Sequence, residues 1–233
     1  MKQTKQLKGV LLDFNGTLFF DSDMHMEAFR RAFPQYGHPI PSDEFMIRRC
    51  FGRTNETIYL ENFDANGTPE EIEKFGDIKE KLYHQLCLDS PEIFHLVNGA
   101  EEMLNAMKDA GVPFCLATGS NWFNVEFYIR HMGLDRWFDQ NNMIYDNGTY
   151  PGKPAPDIYL LAAEKLGLEP SECLVFEDGT SGIRAANAAG AGGVVVVYEE
   201  KFDSPLTEQT RVDEVHHDLR DWREILSHYG ILR

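Results

Sequence analysis

The run "GVVVVY", residues 193 to 198, limits the possible fold more than any other stretch of the chain. A strand that is apolar and β-branched throughout needs cover on both faces, the condition of an inner strand in a parallel sheet. It closes a series in which helix and strand signals alternate from residue 99 onward. "NGAEEMLNAMKDAG" sets Met103, Leu104 and Met107 at helical spacing and stops at Gly111, and the apolar strand "VPFCLAT" follows. "NVEFYIRHMG" reads as a helix ended by Gly133, "NMIYD" as a short strand, and "APDIYLLAAEKLG" as a helix with Pro156 near its start and Gly167 at its end. "ECLVFED" is the next strand and "TSGIRAANAAG" the next helix; "LRDWREILSHYG" predicts a final amphipathic helix. The alternation predicts an α/β fold with a doubly wound, Rossmann-like parallel sheet.

Between the first strand and this series, residues 21–94 carry helix signals only. The clearest is "TPEEIEKFGDIKEKLYHQL", where Thr68 caps, Pro69 takes the first helical position and Glu71 completes a capping box. Ile72, Phe75, Ile78, Leu82 and Leu86 then predict one apolar stripe. The block is too long for a crossover and reads as an inserted all-helical cap over 21–94, in a core formed by 1–20 and 95–233. A lid that closes over the chemistry is the expected use of such an insert.

A net charge of −16 argues against nucleic acid or an anionic membrane as partner, because either needs a basic face. Attraction for an anionic substrate must therefore be built locally. Cys50, Cys87, Cys115 and Cys173 lie far apart without a CxxC pair, which suggests neither zinc nor a disulfide framework. "MKQTKQLKGV" has charge but no apolar segment of signal-peptide type, and no long apolar run occurs, so a cytoplasmic protein is expected. A monomer or weak homodimer is the expected assembly.

Polar residues interrupt the apolar pattern where strands end. In "LLDFNGTLFF" an apolar run stops at Asp13 and turns through Asn15-Gly16. The ordinary reading is a buried strand entering a tight turn. Yet the strand 112–118 delivers Thr118, the strand 172–177 delivers Glu177 and Asp178, and the loop before "APDIYLL" supplies Lys153. In an open parallel sheet ligands collect at the carboxyl ends of the strands, so these groups share one edge. Separately, Thr118-Gly119-Ser120 is a turn, Lys153 a loop charge and Glu177-Asp178 an acidic turn; their joint placement calls for more.

Four motifs, "DFNGTL", "CLATGS", "PGKPAPDIY" and "FEDGTSGIRAANAAG", occur in that order between Val10 and about Val197. With them the chain resembles the haloacid dehalogenase superfamily, in its capped phosphatase branch that includes the β-phosphoglucomutase-like enzymes. The resemblance implies a Mg²⁺-dependent phosphatase for a small phosphorylated metabolite, such as a sugar phosphate. It makes Asp13 the nucleophile that becomes an aspartyl phosphate, a role open to a carboxylate once anion repulsion is relieved. The implied Mg²⁺ ligands are Asp13, the Asn15 main-chain carbonyl and Asp178, with Glu177 as secondary ligand or water holder. Thr118 would donate to a phosphoryl oxygen and Lys153 would neutralise charge between phosphate and Asp13. Gly16, Thr17, Gly119 and Ser120 would line the phosphate site, and Gly16 and Gly182 would let backbone approach it closely.

Asn15 departs from the family pattern, in which most phosphatases carry a second aspartate as proton donor and later base. A carboxamide cannot exchange a proton in that way, and loss of general acid-base catalysis removes roughly 10²- to 10⁴-fold in rate. His25, in "DSDMHMEAFRRAF", resembles the family's linker histidine and is a candidate for cap positioning, for a substrate hydroxyl or for a substitute acid. Arg53, in "FGRTNETIYL", is a candidate clamp for a distal anion, and the alternative there is a helix start capped by Thr54. Two further functions remain open at this level: a phosphomutase of β-phosphoglucomutase type, and a catalytically weak protein that binds a phosphometabolite. A receiver domain is excluded by the insert and a dinucleotide site by "GAGG" preceding a strand; the resemblance argues against dehalogenation, because the family's dehalogenases lack this acidic Mg²⁺ site.

Overall fold

The computed structural model describes residues 6–51, 53–202, 204, 206–208 and 210–232. In chain order the elements are β1 Gly9–Leu12, α1 Ser22–Ala32, α2 Asp43–Arg49, α3 Asn55–Asn62, α4 Pro69–Asp89 and α5 Ala100–Asp109. They continue with β2 Phe114–Asn121, α6 Trp122–Met132, β3 Met143–Asp146, α7 Asp157–Lys165, β4 Cys173–Glu177, α8 Thr180–Ala189, β5 Gly193–Val197, β6 Glu214–His216 and α9 Trp222–His228. The chain divides into two compact units, Met1–Phe20 with His95–Arg233, and Asp21–Phe94.

The first unit is the α/β core. Its strands run in the order β3-β2-β1-β4-β5-β6 and every pairing is parallel. Inner strands β1, β4 and β5 are buried at every position, as the unbroken apolar runs require. Leu11, Cys115, Ala117, Cys173, Val175, Val194 and Val196 form one apolar layer with Ile158, Tyr159, Ala162 and Ala163 of α7 and Ile183, Ala185 and Ala186 of α8. Strand alternation sends Val10 and Leu12, both fully buried, to the opposite face. All four cysteines are buried and free. The short β6 was not expected, because "EVH" carries two polar residues in three and none of the apolar continuity of an inner strand.

The second unit is helical and has its own core, a ring cluster of Phe33, Tyr36, Tyr59, Phe63 and Phe75. The capping box at Thr68 and Glu71 forms as expected. The stripe on α4 needs correction. Phe75 and Leu86 are buried, but Ile72, Ile78 and Leu82 are half-buried, and the buried face instead carries Lys79, Glu80, Tyr83 and Cys87. No helix among the described residues is long and apolar enough to cross a membrane.

Candidate active site

The chain leaves β1 on the β2 side and returns on the other side at β4, so the crevice at their carboxyl ends is a topological switch point. Asp13 follows β1 directly, and its amide donates to the Phe176 carbonyl at 3.1 Å. Glu177 is the last residue of β4 and Asp178 the next. Three carboxylates thus reach one edge, and one oxygen from each of Asp13, Glu177 and Asp178 lies within 4.8 Å of the others.

Two glycines make room for this. Gly16 has φ +78°, and a Cβ there would stand 1.9 Å from Asp178 Oδ2. At Gly182, on the first turn of α8, a Cβ would stand 1.8 Å from Glu177 Oε1. Both admit a carboxylate by having no side chain, and at Gly16 the positive φ adds a second reason for glycine. Gly119, by contrast, faces open space.

Lys153 Nζ donates to Asp13 Oδ1 at 2.6 Å and to Glu177 Oε1 at 2.5 Å. Thr17 donates to Asp13 Oδ2 at 3.1 Å. Glu177 is heavily engaged: the Tyr159 hydroxyl donates to Oε1, and the amides of Asp178 and Gly179 reach Oε2 at 3.1 and 3.4 Å. Burial, with Glu177 adding to it, pushes the Asp13 carboxyl up to about 7 despite Lys153 and Thr17. Burial likewise lifts the Tyr159 hydroxyl well above its ordinary value. The Lys153 ammonium is held above its own ordinary value, because Asp13 and Glu177 outweigh the opposing effect of burial. Three carboxylates facing one ammonium leave negative charge to be balanced, and hard oxygen donors suit a small divalent cation.

Asn15 is held by α6 and by the end of β2. Its Nδ2 donates to the Tyr128 hydroxyl at 2.8 Å, and its Oδ1 accepts from Ser120 Oγ at 2.8 Å. Thr118 Oγ1 stands 3.5 Å from the same oxygen and accepts from the Ser120 amide at 3.1 Å. The core unit therefore brings together Asp13, Asn15, Gly16, Thr17, Thr118, Ser120, Lys153, Glu177 and Asp178. Sequence reasoning missed Tyr128 and Tyr159, which hold Asn15 and Glu177. Their signal is a tyrosine on a buried helix face, "EFYI" and "DIYL", indistinguishable there from an apolar core residue.

His25 and Arg53 belong to the helical unit. Lys79 Nζ donates to His25 Nδ1 at 2.8 Å, and His25 Nε2 lies 3.2 Å from Asp21 Oδ2. An ammonium only donates, so Nδ1 accepts and the ring proton sits on Nε2, facing Asp21. The ring stacks on Tyr83 at 4.1 Å, and the Tyr83 hydroxyl donates to Asp21 at 2.6 Å. Both ring nitrogens are thus engaged inside this unit. The Arg53 guanidinium is ion-paired with Glu61. Thr54 caps α3, its hydroxyl accepting from the Thr57 amide at 3.2 Å.

Residues 7–190 match the haloacid dehalogenase-like hydrolase family. The chain is similar to a probable pseudouridine-5'-phosphatase of Drosophila melanogaster, 44% identical over 199 residues with 84% of each chain covered. It is also similar to the phosphorylated carbohydrates phosphatase of Thermotoga maritima, 30% identical over 188 residues, spanning 79% of this chain and 82% of that one. The crystal structure of a HAD hydrolase, family IA, variant 3, from Entamoeba histolytica matches with a TM-score of 0.83 at 35% identity, covering 97% of this chain and 98% of that one.

Proposed function

The chain belongs to the haloacid dehalogenase-like hydrolases, and from that premise we propose that it is a Mg²⁺-dependent phosphoric monoester hydrolase that acts on a small phosphorylated metabolite by phosphorylating Asp13. The observation that carries this reading is the convergence of Asp13, Lys153, Glu177 and Asp178 at one switch point. Mg²⁺ fits the uncompensated oxygen cluster, and Asp13, Asp178 and the Asn15 carbonyl would hold it, with Glu177 in support. When bound it supplies charge neutralisation between the phosphate and the attacking carboxylate.

Asp13 forms the new O–P bond while the ester O–P bond breaks, and water later splits the aspartyl phosphate to release inorganic phosphate. Lys153 aligns the Asp13 carboxylate and offsets its charge. Thr118 would donate to a phosphoryl oxygen; its 3.5 Å contact with Asn15 is long for a hydrogen bond and supports that role. Asn15 gives no proton to the leaving oxygen, so turnover is slow for esters whose alkoxide needs one. The Arg53–Glu61 pair favours monophosphates over a bisphosphate gripped at both ends.

A screen of phosphorylated metabolites with Mg²⁺, run beside Asp13→Ala, tests this. Phosphate release that needs Mg²⁺ and disappears in the variant is expected. Release that survives Asp13→Ala would overturn the assignment.

A further inference from the structure

Two large aromatic side chains open α6 at the same sheet edge, Trp122 at 44% exposure and Phe123 at 42%, whereas Trp137 and Trp222 are buried at 6% and 4%. Packing accounts for the rest of that helix, because Val125, Phe127 and Tyr128 face the core. It does not account for Trp122, a large aromatic residue that stays 44% exposed four positions after Thr118.

The ring is held in place. Trp122 and Tyr145 contact at 5.2 Å between centroids, with planes inclined at 48°. Tyr145 lies on β3, whose Asp146 is in register with Asn121 of β2, and its carbonyl accepts from the Tyr150 hydroxyl at 2.6 Å. Asn121 Oδ1 accepts from the Asn124 amide at 3.2 Å and fixes the start of the helix. On the other side, Ser120 ties the same segment to Asn15 at 2.8 Å. Thr118 and Trp122 are four positions apart, at most about 14 Å between their Cα atoms. With side chains reaching in from both positions, a molecule the size of a nucleoside monophosphate is long enough to touch both.

We propose that Trp122, backed by Tyr145, is a stacking platform for a planar heterocycle, so that the preferred substrate is a nucleoside 5'-monophosphate with its phosphate at Asp13 and its base on Trp122. This rests on the phosphatase reading above and narrows its substrate class. Stacking on a single aromatic ring tolerates any base, so the platform selects for a flat ring rather than for a particular pattern of hydrogen bonds.

The test compares uridine 5'-monophosphate with ribose 5-phosphate, which share phosphate and pentose and differ in the base. Full-length protein with Mg²⁺ should show the lower KM for the nucleotide. Trp122→Ala should move the KM ratio about tenfold toward ribose 5-phosphate, and Trp122→Phe should restore most of the preference. Binding has its own readout, because Trp122 is the one exposed tryptophan among three. The nucleotide should quench its emission, ribose 5-phosphate should not, and the quenching should be lost in Trp122→Ala.

An unchanged KM ratio in Trp122→Ala, or equal quenching by both compounds, would overturn the platform. Base-dependent quenching without phosphate release from either compound would fault the hydrolase reading and leave the platform standing.

Discussion

Each unit of the molecule sets a lysine among acids, with opposite electrostatic results. In the helical unit Lys79 donates to both oxygens of Glu80, at 3.0 and 3.1 Å, and Asn55 adds a bond at 2.8 Å. Burial alone would raise the Glu80 carboxyl, but Lys79 and Asn55 hold it down at about 2. In the α/β unit Lys153 is shared between two carboxylates while a third stands beside them, and Asp13 rises to about 7. Glu80 has its full complement of partners. Asp13 has less positive charge than it needs. A buried charge that is satisfied within the fold serves structure, whereas one left short of compensation marks a place built for a ligand.

The sharpest way to break this comparison is to remove each acid or its partner. Asp13→Asn should reduce turnover to background and leave the metal-free fold as stable or up to about 1 kcal/mol more stable, as measured by urea unfolding. A large loss of stability would place Asp13 with the structural charges. Lys79→Met should do the reverse and destabilise by about 3–5 kcal/mol, because Glu80 keeps its charge without its main partner. Far-UV circular dichroism is the probe, since residues 21–94 contain no tryptophan.

Next in size is Asn15→Asp. Ser120 and Tyr128 carry hydroxyls that can donate to a carboxylate as readily as they bond the amide. The variant should fold normally and gain on the order of 10²-fold on alkyl phosphates. The gain in the phosphorylation step should be smaller for acyl phosphates, whose leaving group departs without a proton. No gain on either substrate would remove Asn15 as the cause of slow turnover.

The two acids should also bend stability against pH in opposite directions. Glu80 has a folded value below its unfolded 4.5, so its stabilisation is complete above about 4.5 and is lost as pH falls toward 2. Asp13 has a folded value above its unfolded 3.8, so metal-free protein should lose stability as pH rises from about 4 to 7. Glu80→Gln should flatten the acid limb alone, and added Mg²⁺ should flatten the other. The smallest effect is expected at Tyr36, whose buried hydroxyl has no partner among the described residues. Tyr36→Phe should be neutral or stabilise by about 1 kcal/mol in chemical denaturation.

The contrast between the units also explains what the sequence revealed. The inner strands of the core were legible from their apolar runs, although β2 continues to Asn121, past the expected end at residue 118, and the acidic edge was legible from the polar residues that follow those runs. The helical character of 21–94 was legible for the same reason, down to the Thr68 cap. The face of α4 was not, because Lys79 and Glu80 read as solvent-facing charges and only their mutual pairing lets them be buried. Tyr128 and Tyr159 stayed hidden because a tyrosine hydroxyl at the end of a buried ring leaves no trace in hydrophobic periodicity. Partners that lie far apart in sequence, such as Lys153 and Glu177 or His25 and Lys79, emerge only when the chain is folded.

The most direct measurement is Mg²⁺ binding by calorimetry to the parent protein, Asp178→Ala and Glu80→Gln. One Mg²⁺ per chain is expected for the parent and for Glu80→Gln, and none for Asp178→Ala. Undiminished Mg²⁺ affinity in Asp178→Ala would contradict the claim that the core cluster, and not the cluster of the helical unit, is built to take a cation.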